Sequence, residues 1–216
     1  STTDDDVAGF TIAETNGSTS VAESGSTDPL TVVLNAQPTS DVVLSLSSAD
    51  AGEATVTSSL TFTSGNWDTP QTVTVTGADD DLIDGTQTTT ITVSVNDGSS
   101  DNNFDSVSDQ TVSVTTTDDD VAGFTIAETN GSTSVAESGT TDTFTVVLNA
   151  QPDSDVVIQF VSADTGEATV TSLLTFTSAN WDTAQTVTVT GVDDDLVDGT
   201  ITSTITVSVN DGSSDN

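Results

Sequence analysis

The run Asp118, Asp119, Asp120 closes the stretch TTTDDDVAGFTI, between two segments that read as β-strands. Two carboxylates about 4 Å apart repel by roughly 4 kcal/mol at the effective dielectric of a protein surface. A second run, Asp79, Asp80 and Asp81, opens DDDLIDG with Asp84 behind it, while Glu23 stands in VAESG and Asp50 and Glu53 in SADAGEAT. The chain of 216 residues has 35 acidic residues, no Lys, Arg or His, and a formal charge of -35, so no side-chain ion pair relieves any of these clusters. An ordinary Asp pKa of about 3.9 leaves so many carboxylates ionised at neutral pH. The chemistry open to them is cation binding. With oxygen as the only ligand atom on flexible loops, Ca²⁺ and its 6 to 8 oxygens suit the clusters best. Mg²⁺, which keeps several of its waters, is the alternative, and zinc lacks the His and Cys it needs.

The same composition sets aside other functions. Nucleic acid and anionic membranes are bound through basic residues that this chain does not have. Paired carboxylates can act as acid and base in glycoside hydrolysis, but no His or Arg supports them and so small a sandwich offers no deep pocket, so no enzyme is expected. Without Cys there is neither a disulfide nor thiol chemistry. No apolar run approaches a membrane span, and no signal-peptide pattern or initiator Met is present, which reads as an internal piece of a longer protein.

Many acidic residues have a plainer role. Single ones such as Asp41 and Asp68 suit turns, which Asp caps through its side chain. DDDLIDG lacks the spacing of an EF-hand loop. NDGSSDNNFD, from Asn96 to Asp105, reads as a solvated loop rather than a second cation site. Trp67 in SGNWDTPQ and Trp181 in SANWDTAQ read as lids on the core rather than stacking platforms for sugars. Asn16-Gly17-Ser18 fits a turn better than a glycosylation site.

The elements that must position the clusters come in two copies. Shifting the sequence by 114 residues superposes Asp4 to Asn102 on Asp118 to Asn216 with 16 differences in 99 positions, and no acidic position of the first copy is neutral in the second. A period of this length is the size of an independent domain rather than of a solenoid repeat. We therefore expect two domains, 1–117 with its preceding DDD segment and 118–216. The second lacks the counterpart of 103–117, either because the sequence stops in mid-repeat or because a neighbouring molecule supplies that strand.

Period-two alternation predicts seven strands per copy. In the first they are Gly9 to Ala22 with a kink at Asn16-Gly17, then Leu30 to Asn35, Val42 to Ser48, Leu60 to Thr63, Thr72 to Thr76, Thr88 to Val95 and Val107 to Thr116. Val73 and Val75 should face inward. Seven short strands separated by Gly, Asn, Asp and Ser clusters predict an all-β fold of tandem immunoglobulin-like sandwiches joined end to end. With alternating strand direction, the first, third, fifth and seventh strands end at one pole. Glu23, then Asp50 with Glu53, then Asp79 to Asp84, then Asp118 to Asp120 follow those four ends and should converge.

VAESG, LTFTSGNW, the QTVTV strand, DDDLIDG and the closing TTTDDD together resemble Calx-β-type repeats of very large RTX-class bacterial surface adhesins. The resemblance covers essentially the whole chain. It implies an immunoglobulin-like sandwich with Ca²⁺ at the pole facing the next domain, and ligands at Glu23, Asp50, Asp79, Asp80, Asp81, Asp84, Asp118, Asp119 and Asp120. By the repeat, the second set is Glu137, Asp164, Asp193, Asp194, Asp195 and Asp198. Thr and Gln replace acidic residues after DDDLIDG, which leaves the ion count open. The glycine-rich nonapeptides of RTX tails are absent, so the implied role is an extender segment.

Three functions follow as expectations. The first is a calcium-stabilised spacer of an extracellular, secreted surface protein, its partners being neighbouring repeats and identical chains in a fibre. The second is a module binding a glycan or other surface through Ca²⁺ or Trp67. The third is a fibre subunit that assembles by strand donation. Two nearly interchangeable copies favour the spacer, since a binding face normally needs one specialised domain.

Overall fold

Val73 and Val75 are fully buried while Thr72 and Thr74 face solvent, and this alternation is the rule by which every long strand of the protein builds its core. The structure, a computed structural model, describes residues 5–197 and 199–214. The chain divides into two compact units, Ser1–Asp80 with Asp84–Asp119, and Asp81–Ile83 with Asp120–Asn216.

In the first unit, β1 (Phe10–Glu14), β3 (Thr27–Leu34), β7 (Gln71–Gly77) and β5 (Ala54–Val56) form one sheet in the order β1-β3-β7-β5. The other sheet runs β2-β9-β8-β4-β6, from β2 (Thr19–Ala22), β9 (Gln110–Thr117), β8 (Gln87–Val95), β4 (Val42–Ser48) and β6 (Ser59–Phe62). Their inner faces meet in one core that includes Leu30, Val32, Leu44, Phe62, Ile91 and Val114, all buried, with Trp67 packed half-buried against it. This is an all-β sandwich with the periodicity read from the sequence.

Three details differ from the expected strands. The stretch expected as one kinked strand from Gly9 is two strands in different sheets. A turn at Thr15–Gly17 separates them, with Asn16 at φ 58 and Gly17 at φ 82. Only glycine and a few residues such as Asn adopt that left-handed backbone readily. β1 then pairs antiparallel with β3, whereas β2 pairs parallel with β9. β5 was not expected, because three residues are too few to show alternation. The last strand starts at Gln110 rather than Val107, whose N–H is instead held in a turn by the Phe104 carbonyl at 3.0 Å.

The loop read as solvated holds a buried carboxylate. Asp101 is 3 % exposed. One of its oxygens accepts from the Thr39 and Ser40 N–H groups and the Thr39 hydroxyl, while the other accepts from the Asn103 N–H at 3.0 Å. The Asn103 bond and then the Thr39 hydroxyl hold this carboxyl well below the usual range. Asp101 thus cross-braces two loops.

The second unit repeats the first sheet as β10 (Phe124–Glu128), β11 (Thr141–Leu148), β15 (Gln185–Gly191) and β13 (Ala168–Val170), in the order β10-β11-β15-β13. Its other sheet has β14 (Leu173–Phe176), β12 (Val156–Ser162) and β16 (Ile205–Val209), in the order β14-β12-β16. Phe144 and Phe160 stand where the first copy has Leu30 and Leu46, and they meet edge to face with centroids 5.9 Å apart. Such a pair contributes about 0.5–1.5 kcal/mol beyond its buried area. Trp181 packs against this core as Trp67 does in the first. Among the described residues, no helix is long and apolar enough to cross a membrane.

Candidate metal site

Glu23 follows β2, and its place is fixed by backbone on both sides. Its N–H donates to the Thr117 carbonyl at the end of β9, 3.1 Å away. On the opposite side Gly77, which ends β7, lies so close to β2 that a Cβ there would stand 2.0 Å from the Ala22 carbonyl oxygen. Only glycine allows this approach, and it carries the chain directly into Ala78, Asp79 and Asp80. The Ala78 N–H donates to the Glu53 carbonyl at 2.9 Å, and the Thr116 hydroxyl donates to that same carbonyl at 3.3 Å. Asp118 follows β9 and accepts the Gly85 N–H at 2.8 Å. The ends of β2, β7 and β9 and the segment between β4 and β5 therefore share one pole of the first unit.

The Glu23 side chain is 1 % exposed, and both of its carboxylate oxygens are buried without a hydrogen-bond partner. One Glu53 oxygen, Oε2, is buried in the same condition. Glu23 and Asp80 place carboxylate oxygens within 4.8 Å of one another. Burial first, then the negative charges of Asp118, Asp80, Asp84 and Glu53, push the Glu23 carboxyl up to about 7. Glu53 is raised as well, by burial and then by Asp84, Asp50 and Asp80. An unpartnered buried carboxylate is among the most unfavourable groups a fold can hold. The donor set consists of oxygens alone, without a cationic side chain, and that is what a hard divalent cation requires. These residues fit Ca²⁺.

Of the residues expected as ligands in the first copy, Glu23, Asp80, Asp84 and Asp118 are brought together, and Asp50 faces Glu53. Asp50 also caps its own turn, its Oδ1 accepting the Gly52 N–H at 2.9 Å. Asp79 and Asp119 are exposed. Asp81 is counted with the second unit, where its carbonyl accepts the Gln151 N–H at 2.7 Å, and Asp120 also falls in that unit. A run of three successive residues in extended backbone points its side chains to alternate sides, so not all three of either DDD run can face one centre. Glu53 was outside the expected ligand set. Its signal was its place in SADAGEAT, three residues beyond Asp50, but only the fold shows that its carboxylate turns inward.

In the second copy Glu137 is half-buried, and Asp164 is exposed with Oδ1 on the Gly166 N–H at 3.0 Å. Asp193 and Asp195 are exposed, and half-buried Asp194 accepts the Leu196 N–H at 2.8 Å. Asp198 lies outside the described residues.

No family model and no curated protein matches the chain. Among solved structures it is similar to the crystal structure of CBD12 from CALX1.2, at 16% identity over 91% of this chain and 79% of that one, with a TM-score of 0.36. It is also similar to the apo-form Calx CBD1 domain, at 19% identity over 51% of this chain and 98% of that one, TM-score 0.36. A third is domains 5–6 of the S-layer protein SbsC, at 20% identity over 91% and 89%, TM-score 0.33. TM-scores this low leave the reading of the site to its own residues.

Proposed function

We propose that the chain is a pair of calcium-stabilised structural spacer repeats from an extracellular surface protein. The observation that carries this reading is Glu23, whose two oxygens are buried without partners among Asp118, Asp80, Asp84 and Glu53. Glu23, Glu53, Asp80, Asp84 and Asp118 would hold the ion. Its charge would neutralise the pole and supply the partner that no side chain of this protein can. Asp118 follows the last strand of one repeat and the sequence runs from it straight into the next, so a held cation ties down the point at which the next repeat begins. Near-identity of the copies supports a spacer over a specialised binder. An affinity of order 10⁻⁴ to 10⁻³ M suits an extracellular module.

The test is thermal unfolding in chelator and across calcium and magnesium titrations, with small-angle scattering alongside. Calcium in hundredfold excess over its dissociation constant should stabilise the first unit by about 2.7 kcal/mol, and stiffening would show as a longer mean particle. An unchanged unfolding temperature in calcium would refute the reading.

A further inference from the structure

Three of the 16 differences between the copies fall together on the outer face of the sheet β14-β12-β16. Ser45, Ser47 and Ser59 of the first copy are replaced by Gln159, Val161 and Leu173 in the second. Alternation turns all three away from the core, toward which the same strands send Ile158, Phe160 and Phe176. Ser47 and Ser59 are exposed in the first unit too, so this face of the repeat is open to solvent in both copies.

Leu173 stands opposite Gln159, and Val161 is the next outward residue along β12. Leu173 and Val161 are thus diagonal neighbours, roughly 7–8 Å apart, a spacing that long side chains span. They are 51% and 54% exposed. Gln159 is held beside them, its Nε2 donating to the Ser208 hydroxyl on β16 at 3.1 Å. A lone exposed aliphatic is ordinary on a protein surface. Two adjacent ones, each standing where the other copy keeps a serine, make a patch.

Charge decides what can cover it. β12, β14 and β16 contain no acidic residue, whereas the opposite sheet of this unit carries Glu128 on β10 and Asp142 on β11. A cationic partner would be drawn to the clustered carboxylates of the loops instead. A partner without basic residues meets least repulsion on a face without charge. A second copy of this chain is such a partner, since it has no Lys, Arg or His and brings the same uncharged face.

We propose that the outer face of β14-β12-β16 is a lateral contact between two copies of this chain. A two-fold arrangement lays Leu173 of one chain on Val161 of the other, and the reverse. From about 4.8 Å between strands and about 3.3 Å per residue, the face measures roughly 15 Å by 20 Å, well short of the roughly 800 Å² per partner that a stable dimer buries. The contact is therefore weak, with a dissociation constant of order 10⁻⁴ M. It uses none of the acidic pole, so it is independent of the calcium reading.

The test is sedimentation equilibrium of the full chain in calcium, at protein concentrations that bracket the expected dissociation constant and in low and high NaCl. A monomer–dimer equilibrium is expected. It should tighten at high salt, because the Debye length falls from about 8 Å near physiological ionic strength to about 3 Å at 1 M and screens the repulsion between two acidic chains. Val161→Ser combined with Leu173→Ser restores the residues that the first unit carries in the same frame, and should weaken dimerisation at least tenfold. A monomer at every concentration in both salts, association that weakens at high salt, or association unchanged in the double variant would each overturn the inference. Dimerisation together with an unfolding temperature that calcium does not move would refute the metal reading alone.

Discussion

Glu23 and Asp80 hold carboxylate oxygens within 4.8 Å of one another in a protein that has no Lys, Arg or His. Each residue follows a strand of a different sheet, β2 and β7, and the two strands meet where Gly77 lies against the Ala22 carbonyl. Side-chain repulsion at this pole is therefore imposed by main-chain packing, and the fold cannot relax it by moving one loop.

Replacing Glu23 by Gln should act in opposite directions with and without metal. In chelator at pH 8 the variant should unfold at a higher temperature than the parent, since a buried charge is gone and the amide can donate to neighbouring carboxylates. In calcium it should gain less, with affinity reduced about tenfold or more, which is ~1.4 kcal/mol. A calorimetric titration together with melting curves at both conditions checks the pair of outcomes.

The Glu23 carboxyl is raised from an ordinary 4.5 to about 7 in the folded protein. Between those values the unfolded chain has released a proton that the folded one keeps, so stability contributed by this group is full below about 4.5 and lost as pH rises through about 7. Metal-free protein should accordingly weaken from pH 5 to pH 8 in urea titrations followed by Trp67 fluorescence. Calcium binding should release protons near pH 6.5 and reverse the slope. A flat metal-free profile would show that Glu23 is not desolvated.

Gly77→Ala places a methyl group on the Ala22 carbonyl, main chain against main chain, and no side chain can yield. A loss of about 1–3 kcal/mol is expected, as for other overpacking changes. Gly85→Ala, where no atom lies within 4 Å but φ is +72, should reduce stability through backbone strain alone. Both changes should also weaken calcium binding, the first by displacing Glu23 from Asp80, the second by shifting Asp84 and the Gly85 N–H that Asp118 accepts.

Asp101→Asn tests the brace at the opposite loops. The carboxylate's depressed pKa means that its contribution is present above the unfolded Asp value and fades as pH falls below it. The variant should melt lower than the parent at pH 7, with the gap narrowing toward pH 2, and its calcium affinity should be unchanged. Circular dichroism melts across that range give the comparison.

Much of this was legible in the residues. Alternation of Val with Thr placed β4 and β7 nearly to the residue, because a strand buried on one face must repeat every two positions. Counting the directions of seven expected strands gathered Glu23, Asp50, Asp80 and Asp118 toward one end, although the structure splits the first strand and adds β5. Asn16-Gly17 marked a break because a left-handed backbone selects those residue types.

Other features had no local signal. That the break sends one stretch into both sheets depends on which partner strand waits on either side. That Glu53 turns inward while Asp79 faces water depends on how the two sheets stack. Asp101, read as part of a solvated loop, is buried because loops 62 residues apart close around it, a distance that no sequence window spans. The amino-acid sequence by itself determined the periodicity, the duplication and the surplus of negative charge. Which carboxylates lose their water was decided by tertiary contact, because desolvation is a property of what surrounds a group and not of the group itself.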